Sequence, residues 1–225
     1  MPLDLPKPII YLITSGATTK ATTPETDDFA RILALVEASV AAQVPLLQLR
    51  EKQLSTRVLY QLATEASRIT RRTATRLLVN DRADIARAAG ADGVHLTTQS
   101  LPAGQVRETY GSEFLIGVST HSLEEANAAR RQGANFAVFG PVFKTESKVG
   151  LGDPQGLEKL REVATELKGF PILAIGGVLL DNVADCFVAG ASGVAAIRLL
   201  SDAENLGNTI EEIRRIFRSS DRREP

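Results

Sequence analysis

Eight short apolar runs punctuate the chain, at 9–13, 46–50, 77–79, 93–96, 114–118, 136–139, 171–175 and 194–197. Each is too short for a helix, rich in Val, Ile and Leu, and bounded by turn or charged residues, so each predicts a strand. The runs are nearly continuous instead of alternating, as expected when both faces of a parallel sheet are covered. Between them lie segments with helical spacing. Asp27 or Asp28 is placed to cap a helix that reaches about residue 42, with Phe29, Ile32, Leu33, Val36 and Val40 on one face. Ser55 caps the next helix, and Ser122 with Glu125 three residues on forms a capping box. A short helix spans 84–89, and Pro102 opens another in its first turn. Further helices are expected at 156–167, from Asp181 to Gly190, and at 203–217 before a charged, frayed tail. Regular strand–helix alternation through eight units predicts an α/β protein, a single (β/α)8 TIM barrel. One domain is expected over 1–225, with frayed ends at about 1–7 and 219–225. No glycine-rich dinucleotide fingerprint follows the first strand, which argues against an open nucleotide-binding sheet.

Charge changes little in this picture. The net charge of −1 gives no basis for a nucleic-acid or membrane surface, and 5% aromatics with no Trp offers no stacking platform for bases. The one cysteine, Cys186, falls in a helix and reads as a small buried apolar residue. With no basic-then-apolar leader and no spanning stretch, the expected location is cytoplasmic.

A barrel of this kind carries its chemistry at the C-terminal ends of the strands. Those ends supply Gln48, Arg50, Glu51 and Lys52; Asn80 and Asp81; His95; Ser119 and His121; Thr145, Ser147 and Lys148; Gly176 and Gly177; and Arg198. In a near-neutral molecule this rim is cationic and rich in donors, which describes a phosphorylated small-molecule ligand. The stretch from Gly140 to Gly150 sets two hydroxyls at alternate positions beside Lys148, the donor set a phosphate needs. Each feature has a plainer reading. Arg50-Glu51-Lys52 can be a solvated charge cluster, Asn80-Asp81 a helix cap, and His95 a hydrogen-bonded core residue. No Cys/His cluster suggests zinc, whereas Asp81 is compatible with Mg²⁺ completed by substrate oxygens and water.

Six motifs in order resemble the thiamine phosphate synthase family and its thiazole tautomerase branch. They are Gln48-Leu49-Arg50-Glu51-Lys52, Val79-Asn80-Asp81-Arg82, Asp92-Gly93-Val94-His95-Leu96, the run 116–122 through Ser119 and His121, the run 139–148, and Ala174-Ile175-Gly176-Gly177-Val178. The resemblance implies the same barrel. It also implies a synthase that joins a 4-amino-5-hydroxymethylpyrimidine pyrophosphate to a thiazole phosphate. By position, Gln48 to Lys52, Asn80, Ser119 and Lys148 would hold the pyrimidine pyrophosphate, with Arg50, Lys52 and Lys148 catalytic and Asp81 on Mg²⁺. Thr145, Ser147, Gly177, Ile197 and Arg198 would hold the thiazole phosphate. A homodimer is a further implication.

The chain departs from the synthase pattern at three places. Ser100 stands where a second metal-binding Asp is usual, which weakens the expectation of Mg²⁺. Ser147 replaces a Thr, and Arg198 a Ser. The tautomerase branch is the alternative: it moves a proton on a thiazole carboxylate phosphate through a histidine at the position of His121, with no metal. A barrel that only binds a thiamine-pathway phosphate is a second alternative.

Overall fold

The computed structural model describes residues 5–144 and 153–221. Eight parallel strands close in chain order, with β1 paired to both β2 and β8. They are β1 (Ile9–Ile13), β2 (Leu46–Leu49), β3 (Arg76–Asn80), β4 (Gly93–Leu96), β5 (Leu115–Thr120), β6 (Phe136–Phe139), β7 (Ile172–Ile175) and β8 (Gly193–Ala196). Helices α1 (Asp27–Ala41), α2 (Thr56–Thr70), α3 (Ala83–Ala89), α4 (Ala103–Tyr110), α5 (Leu123–Arg131), α6 (Gly156–Glu166), α7 (Val183–Val188) and α8 (Leu206–Asp221) follow the strands in turn. This is the (β/α)8 barrel that the apolar runs predict.

The runs are continuous because both directions off each strand are buried. Ile9, Tyr11 and Ile13 of β1 point into the barrel with Leu46, Leu78, Phe136, Val138, Leu173 and Ala195. The intervening residues, such as Ile10, Leu12, Leu47, Leu49, Leu77 and Val79, join the larger cluster under the helices. Because side chains alternate, the inward rows continue upward to Gln48, Asn80, His95 and Ser119. The interior is therefore apolar over most of its height and polar at the end where the strands finish. Gly117 makes room in this layer: a Cβ there would lie 2.4 Å from Phe136 Cζ and 2.8 Å from His95 Nδ1.

Several helix starts differ in detail from the sequence expectation. Thr26, not Asp27 or Asp28, is the first N-cap; Asp28 lies in the first turn and accepts from the Phe29 N–H at 3.0 Å. Ser55 does cap α2, accepting from Val58 N–H at 3.3 Å. Pro102 sits at the N-cap, one place before α4 begins. Asn182, not Asp181, precedes α7, because its side-chain oxygen accepts the Leu179 N–H and turns the chain. The frayed tail expected from residue 218 is helical as far as Asp221. Phe217 anchors that last stretch by an edge-to-face contact with Phe187, the centroids 5.0 Å apart. Among the described residues no helix is long and apolar enough to cross a membrane. Cys186 is fully buried in α7, and burial pushes its thiol up to about 12, so it is inert packing.

Candidate active site

At the top of the barrel interior, the ends of β2 to β5 build one polar arc. Gln48 is 1% exposed and donates through Nε2 to Asn80 Oδ1 at 2.9 Å. His95 Nε2 and Ser119 Oγ lie 2.9 Å apart. Three polar atoms in this layer are buried without a hydrogen-bond partner: Gln48 Oε1, His95 Nδ1 and Tyr11 Oη. Burial, and then the charge of Arg50, lower the His95 pKa from 6.5 to about 3, so the ring is a neutral imidazole. Burial also holds the Tyr11 phenol well above its ordinary value, hence protonated. The rings of Tyr11, His95 and Phe136 meet at centroid distances of 5.4–6.2 Å and form an uncharged aromatic floor.

Arg50 stands above this floor on the turn after β2. Its backbone N–H donates to Thr14 Oγ1 at 2.8 Å. Its guanidinium lies against Gly16, where a Cβ would come within 3.3 Å of Nη1. Glu51 is not part of a solvated charge cluster. It is 3% exposed and faces the loop between β1 and α1. Its carboxylate accepts from Thr14 Oγ1 (2.5 Å), Thr18 Oγ1 (2.7 Å), Gly16 N–H (3.2 Å) and Thr18 N–H (3.4 Å). Four donors compensate the buried charge, and the loop becomes a fixed wall beside Arg50. Lys52 is exposed on the same turn. Of the three charged residues, Arg50 is half-buried against Gly16 and close enough to His95 to act on its charge, Lys52 is exposed, and Glu51 braces the scaffold.

Asp81 follows β3 in the left-handed region, at φ 60°, with its N–H donating to His95 O at 2.9 Å. The helix-cap reading of Asn80-Asp81 does not hold: Arg82 is the N-cap of α3 and binds Asp84. The Asp81 carboxylate instead accepts from Ser100 Oγ on Oδ1 and from Asn80 Nδ2 at 3.5 Å on Oδ2. Ser100 is therefore in the place from which a second carboxylate would share a cation with Asp81. Among the described residues no group of three or more His, Cys, Asp or Glu is placed to hold a metal. One carboxylate flanked by an amide and a hydroxyl suits a Mg²⁺ ion that takes most of its ligands from a substrate's phosphates and water.

The rest of the rim is looser. His121 lies at the end of β5, and both its N–H and Nδ1 meet Glu125 Oε2, at 2.7 and 3.2 Å. That carboxylate serves His121 instead of the Ser122 N–H, so the capping box is half formed: Ser122 Oγ still accepts from Glu125 N–H at 3.2 Å. Gly177, at φ 66°, follows β7, and a Cβ there would lie 2.5 Å from Lys144 O. The Phe143 N–H donates to Gly176 O at 2.9 Å, which binds the chain after β6 to the β7 turn. Ile197 and Arg198 lie past the end of β8, and Arg198 opens a one-turn 3-10 helix instead of closing the strand. Thr145, Ser147 and Lys148, with Gly150, lie outside the described residues.

Known proteins decide what this barrel belongs with. The profile of the family described as thiamine monophosphate synthase matches residues 19–200. The chain belongs to that family. A putative thiamine-phosphate synthase of Geobacter sulfurreducens is 48% identical over 166 residues, covering 74% of this chain and 78% of the relative. The thiamine-phosphate synthase of Chloroflexus aurantiacus is 38% identical over 181 residues, 80% of this chain and 83% of its own. Among solved structures, thiamine phosphate pyrophosphorylase from Pyrococcus furiosus superposes with a TM-score of 0.75 at 30% identity, over 94% of this chain and 96% of that one. Two of these names are of thiamine-phosphate synthases and the third is of a thiamine phosphate pyrophosphorylase, and the tautomerase alternative gains nothing from them.

Within the thiamine monophosphate synthase family frame, the structure adds residues that local pattern did not single out. Tyr11 looks like any strand aromatic, yet it reaches His95 across the barrel. The contacts of Glu51 to Thr14, Gly16 and Thr18 span 33–37 residues of sequence. Inward parity was the one available signal, since Tyr11, Gln48, Asn80, His95 and Ser119 all lie in inward rows.

Proposed function

We propose that this barrel joins 4-amino-5-hydroxymethylpyrimidine pyrophosphate to a thiazole phosphate, giving thiamine phosphate and pyrophosphate. The observation that carries the reading is the arc from β2 to β5. It sets the Arg50 cation over a neutral, partly unpaired polar layer, with Asp81 beside it. The pyrimidine's exocyclic amine supplies donors, and the buried Gln48 Oε1 is an acceptor without a partner. The pyrophosphate then faces Arg50, Lys52 and Ser119, with Lys148 completing the cationic side. By their positions in the family pattern, Thr145, Ser147, Gly177, Ile197 and Arg198 take the thiazole phosphate.

The reaction needs no protein nucleophile. The C–O bond to pyrophosphate ionises, the pyrimidine ring delocalises the resulting cation, and the thiazole nitrogen captures it. Arg50 and the two lysines stabilise the charge that grows on the departing pyrophosphate, and the pocket aligns the two rings. The aromatic floor beneath them is neutral and keeps water from the cation. Mg²⁺ bound at Asp81, with Asn80 alongside, would supply further neutralisation of the pyrophosphate.

The deciding experiment incubates the purified chain with both substrates, with and without Mg²⁺, and measures thiamine phosphate. Product is expected, and Arg50→Ala should lower turnover by roughly a hundredfold or more with an unchanged circular dichroism spectrum. No product from the native chain, or undiminished turnover in both Arg50→Ala and Lys148→Ala, would reject the reading. Ser100→Asp returns a second carboxylate next to Asp81 and should reduce the Mg²⁺ needed for half-maximal rate by roughly an order of magnitude. An unchanged Mg²⁺ requirement would remove Asp81 from the metal site.

A further inference from the structure

We infer that His95 is a positioning residue that keeps its single ring proton on Nε2 and donates it to Ser119 Oγ, leaving the Ser119 hydroxyl proton free to be given to a pyrophosphate oxygen. The inference rests on the synthase reading for the identity of the ligand, but its first half stands on geometry alone.

The two tautomers have unequal consequences here. His95 is 3% exposed, Nε2 lies 2.9 Å from Ser119 Oγ, and Nδ1 has no partner. Water cannot rescue Nδ1 on the side of Gly117, because the space that glycine leaves is already taken by the Phe136 ring edge and the imidazole itself. Tyr11 and Phe136 present rings to the imidazole. A proton on Nδ1 would thus be a buried donor with no acceptor, a rare and costly state. A bare lone pair on Nδ1 is the more tolerable orphan. With the proton on Nε2, the one ring donor is satisfied and the only orphan is an acceptor.

The direction of that bond fixes what Ser119 can do. A hydroxyl carries one proton. If Ser119 donated to Nε2, it would meet an anionic ligand only with lone pairs, which repel it. If instead it accepts from Nε2–H, its own proton points elsewhere. Ser119 is half-buried at the end of β5, and its open side is the mouth that Arg50 overlooks. A neutral imidazole below thus turns an ambivalent hydroxyl into a committed donor towards the anion, and a charge-assisted bond of that kind is stronger than a neutral one.

The chain has only two histidines, so the test is direct. In ¹⁵N-labelled protein, His121→Ala identifies the His95 ring signals, and long-range ¹H–¹⁵N correlation reads the tautomer. A proton on Nε2 with an unprotonated Nδ1 is expected; a proton on Nδ1, or an even mixture, overturns the positioning role whatever the enzyme does. The second arm measures binding of inorganic pyrophosphate by calorimetry. His95→Leu should weaken binding roughly tenfold, and His95→Gln, which keeps an amide donor near the Nε2 position, should recover most of it. On a Ser119→Ala background His95→Leu should have no further effect, because the two act as one unit. Additive losses would mean that His95 only packs the barrel, and overturn the proposal. If the native chain binds no pyrophosphate while Nε2 carries the proton, the ligand half falls together with the synthase reading.

Discussion

An imidazole sealed under an arginine makes stability depend on pH in a direction that can be worked out. Folded, His95 takes up a proton only near pH 3; unfolded, it does so near 6.5. Between those values the unfolded chain binds more protons than the folded one, so stability rises with pH there. The contribution is complete above about pH 6.5 and is lost progressively as pH falls towards 3, by about 1.4 kcal/mol per pH unit. At pH 5 the loss is about 2 kcal/mol, which for a chain of this size moves the melting temperature by about 4–8 °C. Carboxylates with lowered pKa, such as Asp28, Asp84 and Glu212, add their own loss further down in acid, so the comparison must be with a variant. His95→Gln cannot titrate and should show a distinctly smaller drop in melting temperature between pH 7.5 and 5. Parallel drops in the two proteins would mean that the ring is not held neutral in the folded state.

Among the elements, the loop joining β1 to α1 departs most from its first appearance. Polar and rich in threonine, residues 17–26 make a loop, yet Thr14, Thr18 and Thr22 are nearly sealed from solvent. Two carboxylates hold it: Glu51 takes Thr14, Gly16 and Thr18, and Asp28 takes the Thr22 and Thr26 hydroxyls. Because Gly16 lies against the Arg50 guanidinium, whatever loosens this loop also loosens the cation. Glu51→Ala should cost about 2–4 kcal/mol, the penalty for stranding several buried donors. It should also speed hydrogen exchange at the Gly16 and Thr18 amides and raise KM for the pyrimidine pyrophosphate more than for the thiazole phosphate. Equal changes in both KM values would show that the loop supports the barrel at large and not Arg50. The same loop marks the boundary of what local pattern conveys. All eight strands follow from apolar runs, and the Ser55 cap from a short-range bond, because both depend on residues a few places apart. The role of Glu51 depends on partners in another unit of the barrel, and the half-formed box at Ser122 on a carboxylate that prefers His121. Arg50 and Asn80 could be placed at the mouth by strand parity alone, whereas no periodicity tells a solvated glutamate from a clamped one.

On the scale of the whole barrel, chemistry and stability occupy opposite ends. The C-terminal end holds the unpaired polar atoms Gln48 Oε1 and His95 Nδ1 and the charges around them. The N-terminal end is braced by long-range side-chain bonds, although Ser67 Oγ and Thr75 Oγ1 are buried there without a partner. Arg107 of α4 reaches Gly111 O, Ser112 O and Phe114 O before β5, then Gly133 O and Asn135 Oδ1 before β6. Asn135 Oδ1 in turn accepts the Ile116 N–H at 2.8 Å, and Asp92 accepts the Leu77 N–H in the same way one pair of strands earlier. One guanidinium therefore ties together two consecutive units, using a fork of donors that an ammonium lacks. Arg107→Ala leaves several carbonyls without a donor and should cost about 2 kcal/mol, a fall of about 4–8 °C in melting temperature. Arg107→Lys should recover little of it. Turnover per folded molecule should be unchanged in both variants, because the strand ends that carry Arg50, Asp81 and Ser119 lie at the other mouth. A fall in kcat/KM at a temperature where the variants are fully folded would show that the two ends are coupled through the strands and are not separable.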